Sequence, residues 1–86
     1  MSQLIERRNY ELIRLNREVI RRIREVLYDE GRMKRTRLAL KANIQYGRLL
    51  KYIRWLESIG AVQLILDGES TDILITEKGK ELLANF

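Results

Sequence analysis

The sequence predicts a mainly α-helical fold with one small β-hairpin, arranged as a winged helix-turn-helix with a long N-terminal helix. Three observations lead to this fold class. Residues 34–60 contain two helical stretches separated by a short turn. Residues 61–76 follow directly, with two runs of strand-forming residues around an Asp-Gly turn. Residues 5–27 keep a helical apolar repeat that no glycine or proline interrupts.

The apolar repeat of residues 5–27 has a spacing of seven, and it predicts one helix of about 25 residues that ends at Gly31. Its apolar side consists of Ile5, Asn9, Leu12, Ile13, Asn16, Val19, Ile20, Ile23, Val26 and Leu27. Asn16 is also a good N-cap residue. The alternative is therefore a helix that breaks at Asn16 and restarts after it.

Residues 36–42 predict a short helix, with Thr36 as its N-cap. The next residues form the predicted turn, because Asn43 tolerates the left-handed backbone that ends a helix and Ile44 can fill the turn from inside. A second helix is predicted at residues 45–59. Its apolar side is formed by Leu49, Tyr52, Ile53, Leu56 and Ile59.

The opposite side of this second helix is basic. It presents Gly47, Lys51, Arg54 and Ser58, with Arg48 on its flank, and it has no carboxylate. A phosphate backbone could approach such a face closely, because glycine has no side chain and the cations attract the phosphates. The alternative interpretation is a solvated basic face, which is common on surface helices.

The hairpin and a last helix complete the predicted domain. The hairpin tip carries three acids, Asp67 and Glu69 in the turn of residues 67–70 and Asp72 just after it, and these would repel a phosphate. The wing is therefore not expected to grip DNA. The last helix begins at Thr76, and it should turn Leu82, Leu83 and Phe86 toward the core.

Composition excludes several classes of function. The 86 residues make one domain, which we divide into a helical extension, residues 1–15, and a winged domain, residues 16–86. The chain has no cysteine and no histidine, which removes disulfides, the usual zinc sites, thiol nucleophiles and imidazole bases. We expect no enzyme, no metal and no cofactor. With no membrane span or signal peptide in the sequence, we expect a cytoplasmic protein.

Charge is distributed unevenly along the chain. Residues 1–56 contain fifteen Lys or Arg against six Asp or Glu, whereas residues 57–86 contain two against six. The net charge of +5 therefore combines a strongly basic front with an acidic back. This asymmetry favours a polyanion that docks on the helical half.

Residues 16–86 resemble the small archaeal winged helix-turn-helix transcription regulators and chromatin-associated DNA-binding proteins. Four motifs carry the resemblance, in the family's order and spacing: the pair Thr36-Arg37, the turn Ala42-Asn43, the Leu-x-x-Tyr-x-x-x-Leu pattern that starts at Leu49, and the Thr-Glu-Lys-Gly start at Thr76. The resemblance implies the fold and a DNA-binding role, without a target sequence.

We therefore expect a protein that binds double-stranded DNA as a transcription regulator and inserts residues 45–59 into the major groove. The candidate DNA-binding residues are Thr36, Arg37, Gln45, Tyr46, Gly47, Arg48, Lys51 and Arg54. Two alternatives stay open: an architectural protein that coats DNA without sequence preference, and a winged helix that binds protein or RNA. No small-molecule effector is evident.

A homodimer is the expected assembly, because the apolar heptad face is longer than one small domain needs to bury. The candidate dimer residues are Ile5, Asn9, Leu12, Ile13, Asn16 and Val19. The alternative is an extension that folds back over its own domain.

Overall fold

The computed structural model describes residues 16–86, which form four helices and a three-stranded antiparallel sheet. In chain order the elements are α1 (Arg17–Glu30), β1 (Met33–Lys34), α2 (Arg35–Ala42), α3 (Tyr46–Ser58), β2 (Val62–Asp67), β3 (Ser70–Ile75) and α4 (Glu77–Leu82). This is the predicted winged helix fold. Among the described residues, no helix is long and apolar enough to span a membrane.

Helix α1 begins after Asn16, which acts as its N-cap. The Asn16 backbone is extended, and its side-chain oxygen accepts hydrogen bonds from the backbone N–H groups of Glu18 (2.9 Å) and Val19 (3.2 Å). A helix that continues through Asn16 is therefore wrong, and the alternative of a separate helix that starts after Asn16 is confirmed, while residues 5–15 of the predicted helix lie outside the described residues. The predicted end is also confirmed, because Gly31 adopts a positive φ of 72° and donates its N–H to the Leu27 carbonyl at 2.9 Å.

The helix-turn-helix lies where the sequence predicts it. Asn43 ends α2 in the left-handed conformation (φ 55°, ψ 55°), and Ile44 is buried beneath the turn. The assignment of Thr36 as N-cap is wrong, because α2 begins one residue before it and the capping position is Lys34, whose side chain makes no cap bond. Strand β1 causes this difference, since its pairing holds Lys34 extended immediately before the helix.

Strand β1 was not predicted, and it turns the hairpin into a three-stranded sheet of order β1-β3-β2. Met33 pairs with Ile73 and Lys34 with Asp72, while the hairpin closes with Asp67 opposite Ser70. Asp72 therefore lies on β3 beside β1, away from the hairpin tip where the sequence placed it. The sheet is fixed to the helices because both members of the Met33–Ile73 pair are buried in the core.

Helix α4 is capped as predicted, by Thr76, whose hydroxyl oxygen accepts from the Gly79 N–H at 2.9 Å. Of the three residues expected in the core here, Leu83 is fully buried and Phe86 packs partly against the core. Leu82 does not, since 42% of it is exposed. Leu83 still donates its backbone N–H to the Gly79 carbonyl at 2.9 Å, so the two leucines point in different directions around the helix axis and only Leu83 enters the core.

One hydrophobic core joins all these elements. On α3 its members are Leu49, Tyr52, Ile53 and Leu56, as the helical periodicity predicts, with Ile59 half-buried. Tyr52 is the largest side chain that is fully buried, and its hydroxyl accepts from the backbone N–H of Asn16 at 3.1 Å. Burial of the apolar side of α3 fixes its rotation, so the other side must face outward.

Candidate nucleic-acid interface

The outward face of α3 carries the predicted basic residues. Tyr46, Gly47, Arg48, Lys51 and Arg54 are all exposed, while the side chains between them enter the core. The prediction that these residues share one accessible surface is confirmed as geometry. Whether they touch DNA stays a prediction.

The three cations of this face have no partner within the described residues. No hydrogen bond or ion pair joins the side chain of Arg48, Lys51 or Arg54 to another residue of the range 16–86. Several basic residues elsewhere on the surface are paired with acids: Arg21, for example, contacts both Glu18 (2.6 Å) and Glu25 (3.0 Å). The charges on α3 are therefore available to an external anion, and no carboxylate has to be displaced first.

Gly47 leaves an open position in the first turn of α3. Apart from its own helix, a Cβ atom added there would meet no atom of the domain within 4 Å, so packing inside the domain does not require glycine. A close approach by a ligand backbone is a use of glycine that this geometry permits.

Gln45 and Tyr46 mark the N-terminal end of α3. Gln45 is the N-cap residue, but its side chain makes no cap hydrogen bond and is exposed. Tyr46 is 38% exposed. Both polar groups can reach beyond the helix end, which in helix-turn-helix proteins is the part of the second helix that contacts base edges.

The two candidates on α2 differ from each other. Thr36 is exposed in the first turn and lies near the wing, but Arg37 is already paired, because its Nε donates to Glu30 Oε1 at 3.0 Å. Lys41 reaches the other oxygen of the same carboxylate, also at 3.0 Å. Hydrogen bonds hold the pKa of the Glu30 carboxyl below its usual value, and the bond from Lys41 has a larger effect than the bond from Arg37. Arg37 therefore ties α2 to the end of α1, and a phosphate would have to compete with Glu30 for it.

The basic residues that join α1 to the start of α2 also include both paired and unpaired cations within the described part of the chain. Arg32 is occupied, since its Nε donates to Asp72 at 2.8 Å and its Nη2 lies 3.5 Å from an Asp67 oxygen. Lys34 and Arg35 have no such partner among residues 16–86. The sequence shows a run of basic residues between Gly31 and α2, which could contact phosphates or form a solvated loop, but it does not show which of these cations are unpaired.

Of the candidate dimer residues, only Asn16 and Val19 lie within the described part of the chain. Ile5, Asn9, Leu12 and Ile13 lie outside the described residues. Val19 is 2% exposed and packs in the core of its own domain, so it has no accessible side chain for a second chain. The Asn16 oxygen is occupied by the cap of α1. The expected role of these last two residues in a dimer is therefore corrected to a role inside the domain.

Comparison with known proteins agrees with this arrangement. The sequence profile of the winged helix-turn-helix family matches residues 14–86. The chain belongs to the winged helix-turn-helix family. A search of curated proteins finds no match to it. The family resemblance is thus confirmed at this level, while the archaeal origin stays a prediction.

Several solved structures share the fold. A MarR-family transcriptional regulator from Silicibacter pomeroyi has a TM-score of 0.72 at 18% identity, over 91% of this chain and 53% of that one. The transcriptional regulator PA4135 has a TM-score of 0.70 at 25% identity, over 91% and 59%. The chain therefore spans between half and three fifths of the length of these regulators.

A third similar structure is the regulator NadR in complex with 4-hydroxyphenylacetate. It has a TM-score of 0.67 at 23% identity and covers 91% of this chain and 59% of its own. A small molecule is thus bound by one protein that shares this fold. The expectation that the present chain has no effector gains no support from the comparison.

Proposed function

We propose that the protein is a transcription regulator that binds double-stranded DNA and inserts α3 into the major groove. The observation that carries the proposal is the outward face of α3, where Arg48, Lys51 and Arg54 are exposed and have no partner among the described residues. Membership of the winged helix-turn-helix family and the fold shared with transcriptional regulators support it.

The dimensions of α3 suit this role. Its 13 residues give a rod of about 20 Å, and the major groove of B-DNA, about 12 Å wide, admits one α-helix. The helix end with Gln45 and Tyr46 would then point at base edges, where glutamine pairs with adenine. The more distant Lys51 and Arg54 would neutralise phosphates.

A double substitution tests the proposal. Arg48→Ala with Lys51→Ala should weaken duplex binding by about 1 to 3 kcal/mol for each side chain that reads a base, and should reduce the salt slope by about one unit for each side chain that binds a phosphate. The matched control is Arg21→Ala with Lys80→Ala, which removes the same charge from cations that are paired with Glu18 and Glu77.

Gel shifts at two salt concentrations, with duplex DNA, single-stranded DNA and RNA, distinguish the alternatives. Preference for one duplex sequence supports a regulator, equal binding to all duplexes supports an architectural protein, and preference for RNA supports an RNA-binding module. Unchanged duplex affinity in the folded α3 variant, relative to the control, would overturn the assignment of this face.

Homodimer formation through residues 1–15 is part of the proposal. Its support is the apolar heptad that runs through these positions of the sequence. A two-fold dimer would place two α3 helices about one helical turn of DNA apart, so the target should be an inverted repeat. Sedimentation of the intact chain beside a chain without residues 1–14 tests it. A full-length monomer, or a truncated chain that still dimerises, would contradict this assignment.

A further inference from the structure

A cleft between the start of α2 and the wing is lined by residues that a phosphate would bind. Its walls come from three parts of the chain: the β1–α2 junction, the first residue of α3 and the hairpin turn. The lining residues are Lys34, Arg35, Thr36, Tyr46, Glu69, Ser70 and Thr71. The lining thus contains two cations, four hydroxyl groups and one carboxylate.

The pairing of the sheet holds this cleft in place. Strand β1 runs directly into α2, and its Lys34 lies opposite Asp72 of β3. The neighbouring pair, Met33 and Ile73, is buried and anchors both strands. The basic start of α2 is therefore held beside Thr71 by main-chain hydrogen bonds, and a ligand would find the two walls already assembled.

The acids of the wing are arranged so that only one of them faces the cleft. Asp72 lies opposite Lys34 in the sheet but does not line the cleft. It binds Arg32 at 2.8 Å, and Asp67 lies near the same guanidinium. Glu69 alone among the three wing acids lines the cleft.

We propose that this cleft binds a phosphodiester of the DNA backbone next to the groove that α3 enters, with Lys34 and Arg35 supplying the charge and the hydroxyls of Thr36, Tyr46, Ser70 and Thr71 supplying donors. The wing then contacts DNA through its side, which revises the expectation that its acids keep it away. The inference rests on the proposed function. In this arrangement Glu69 weakens DNA binding, whereas Lys34 and Arg35 strengthen it, because the Glu69 carboxylate repels the phosphate.

The test measures the affinity for one random-sequence DNA duplex at two salt concentrations. Between about 50 and about 200 mM salt, each phosphate that the protein neutralises contributes about a 3.5-fold change in affinity. Lys34→Ala with Arg35→Ala leaves the one phosphodiester of the cleft without a cation, so the affinity of the wild type should fall about 3.5-fold more than that of the variant over this range. The control Arg21→Ala with Lys80→Ala should behave as the wild type.

A second pair of variants tests the sign. Glu69→Gln should tighten binding, whereas Glu81→Gln, which removes an exposed acid of α4, should leave it unchanged. The α3 variant Arg48→Ala with Lys51→Ala is measured in parallel. If it loses binding while the cleft variants match their controls, the cleft inference is wrong and the proposed function stands. If no variant differs from its control, the proposed function fails.

Discussion

Replacing Gly79 by alanine should destabilise the domain, although alanine is the better helix former. Gly79 lies in the first turn of α4, directly against the backbone of Ala61. A Cβ atom at Gly79 would overlap the Ala61 carbonyl group and press on the Ile75 side chain. Helix propensity alone predicts the opposite, a gain of about 1 kcal/mol.

The Ala61 carbonyl has little freedom to move. It accepts the backbone N–H of Thr76 at 3.0 Å and the Thr76 hydroxyl at 3.1 Å. Loss of two such hydrogen bonds costs about 1 to 3 kcal/mol, and crowding in a packed region costs about 1 to 3 kcal/mol. After subtraction of the propensity gain, Gly79→Ala should lower the free energy of unfolding by about 1 to 5 kcal/mol.

Urea denaturation followed by circular dichroism measures this change. In thermal unfolding of a domain of this size, a loss of about 1 kcal/mol lowers the Tm by about 4 to 8 °C. A variant as stable as the wild type, or more stable, would refute the close approach of α4 to Ala61 and with it the packing of the C-terminal part of the fold.

Three further changes are informative. Asn16→Ala should cost about 1 kcal/mol of stability in urea denaturation, because the cap of α1 is lost, and no loss would contradict the helix start. Glu30→Gln should reduce the loss of stability on acidification: a lowered folded-state pKa stabilises the protein above the unfolded-state pKa, and this contribution disappears as the pH falls through the folded-state pKa. The urea midpoint of each protein is measured at neutral pH and at about pH 3. If the midpoint of the wild type and that of Glu30→Gln fall by the same amount, the pairing of Glu30 with Lys41 and Arg37 is contradicted. Gly47→Ala should raise stability by about 0.5 to 1 kcal/mol and weaken DNA binding, and unchanged DNA affinity would remove Gly47 from the interface.

Local signals in the sequence predicted most of the fold correctly. The positions of α2 and α3 follow from the apolar spacing of Leu49 and Tyr52, and from Asn43, which tolerates the left-handed turn. The hairpin follows from its Asp-Gly turn, where Gly68 has a φ of 64°. These signals are reliable because each depends on residues that are close together in the chain.

Two features were not predicted from the sequence: strand β1, which depends on a distant contact, and the start of α1, which the apolar repeat conceals. Strand β1 has two residues and no periodicity of its own, so only its pairing with β3 reveals it. The heptad continues across residue 16 without interruption, so the periodicity alone predicts a continuous helix in place of the cap at Asn16.

Contacts between different elements also decide which residues of the candidate site are available. Periodicity placed Arg48, Lys51 and Arg54 on one face, since a helix wheel needs only local information. The pairing of Arg32 with Asp72 joins residues 40 positions apart in the sequence, and the pairing of Arg37 with Glu30 joins two different helices, α2 and α1. Which cations are available to a ligand is therefore visible only in three dimensions.

The central claim is that α3 is the surface that meets DNA, and an NMR titration tests it most directly. Amide signals of the ¹⁵N-labelled chain are recorded while a duplex that contains its binding sequence, or a random duplex, is added. The largest shifts should come from residues 45–54, with smaller shifts at residues 34–36 and 69–71. Largest shifts on the outer side of α1 and on α4, with unchanged signals from residues 45–54, would contradict it.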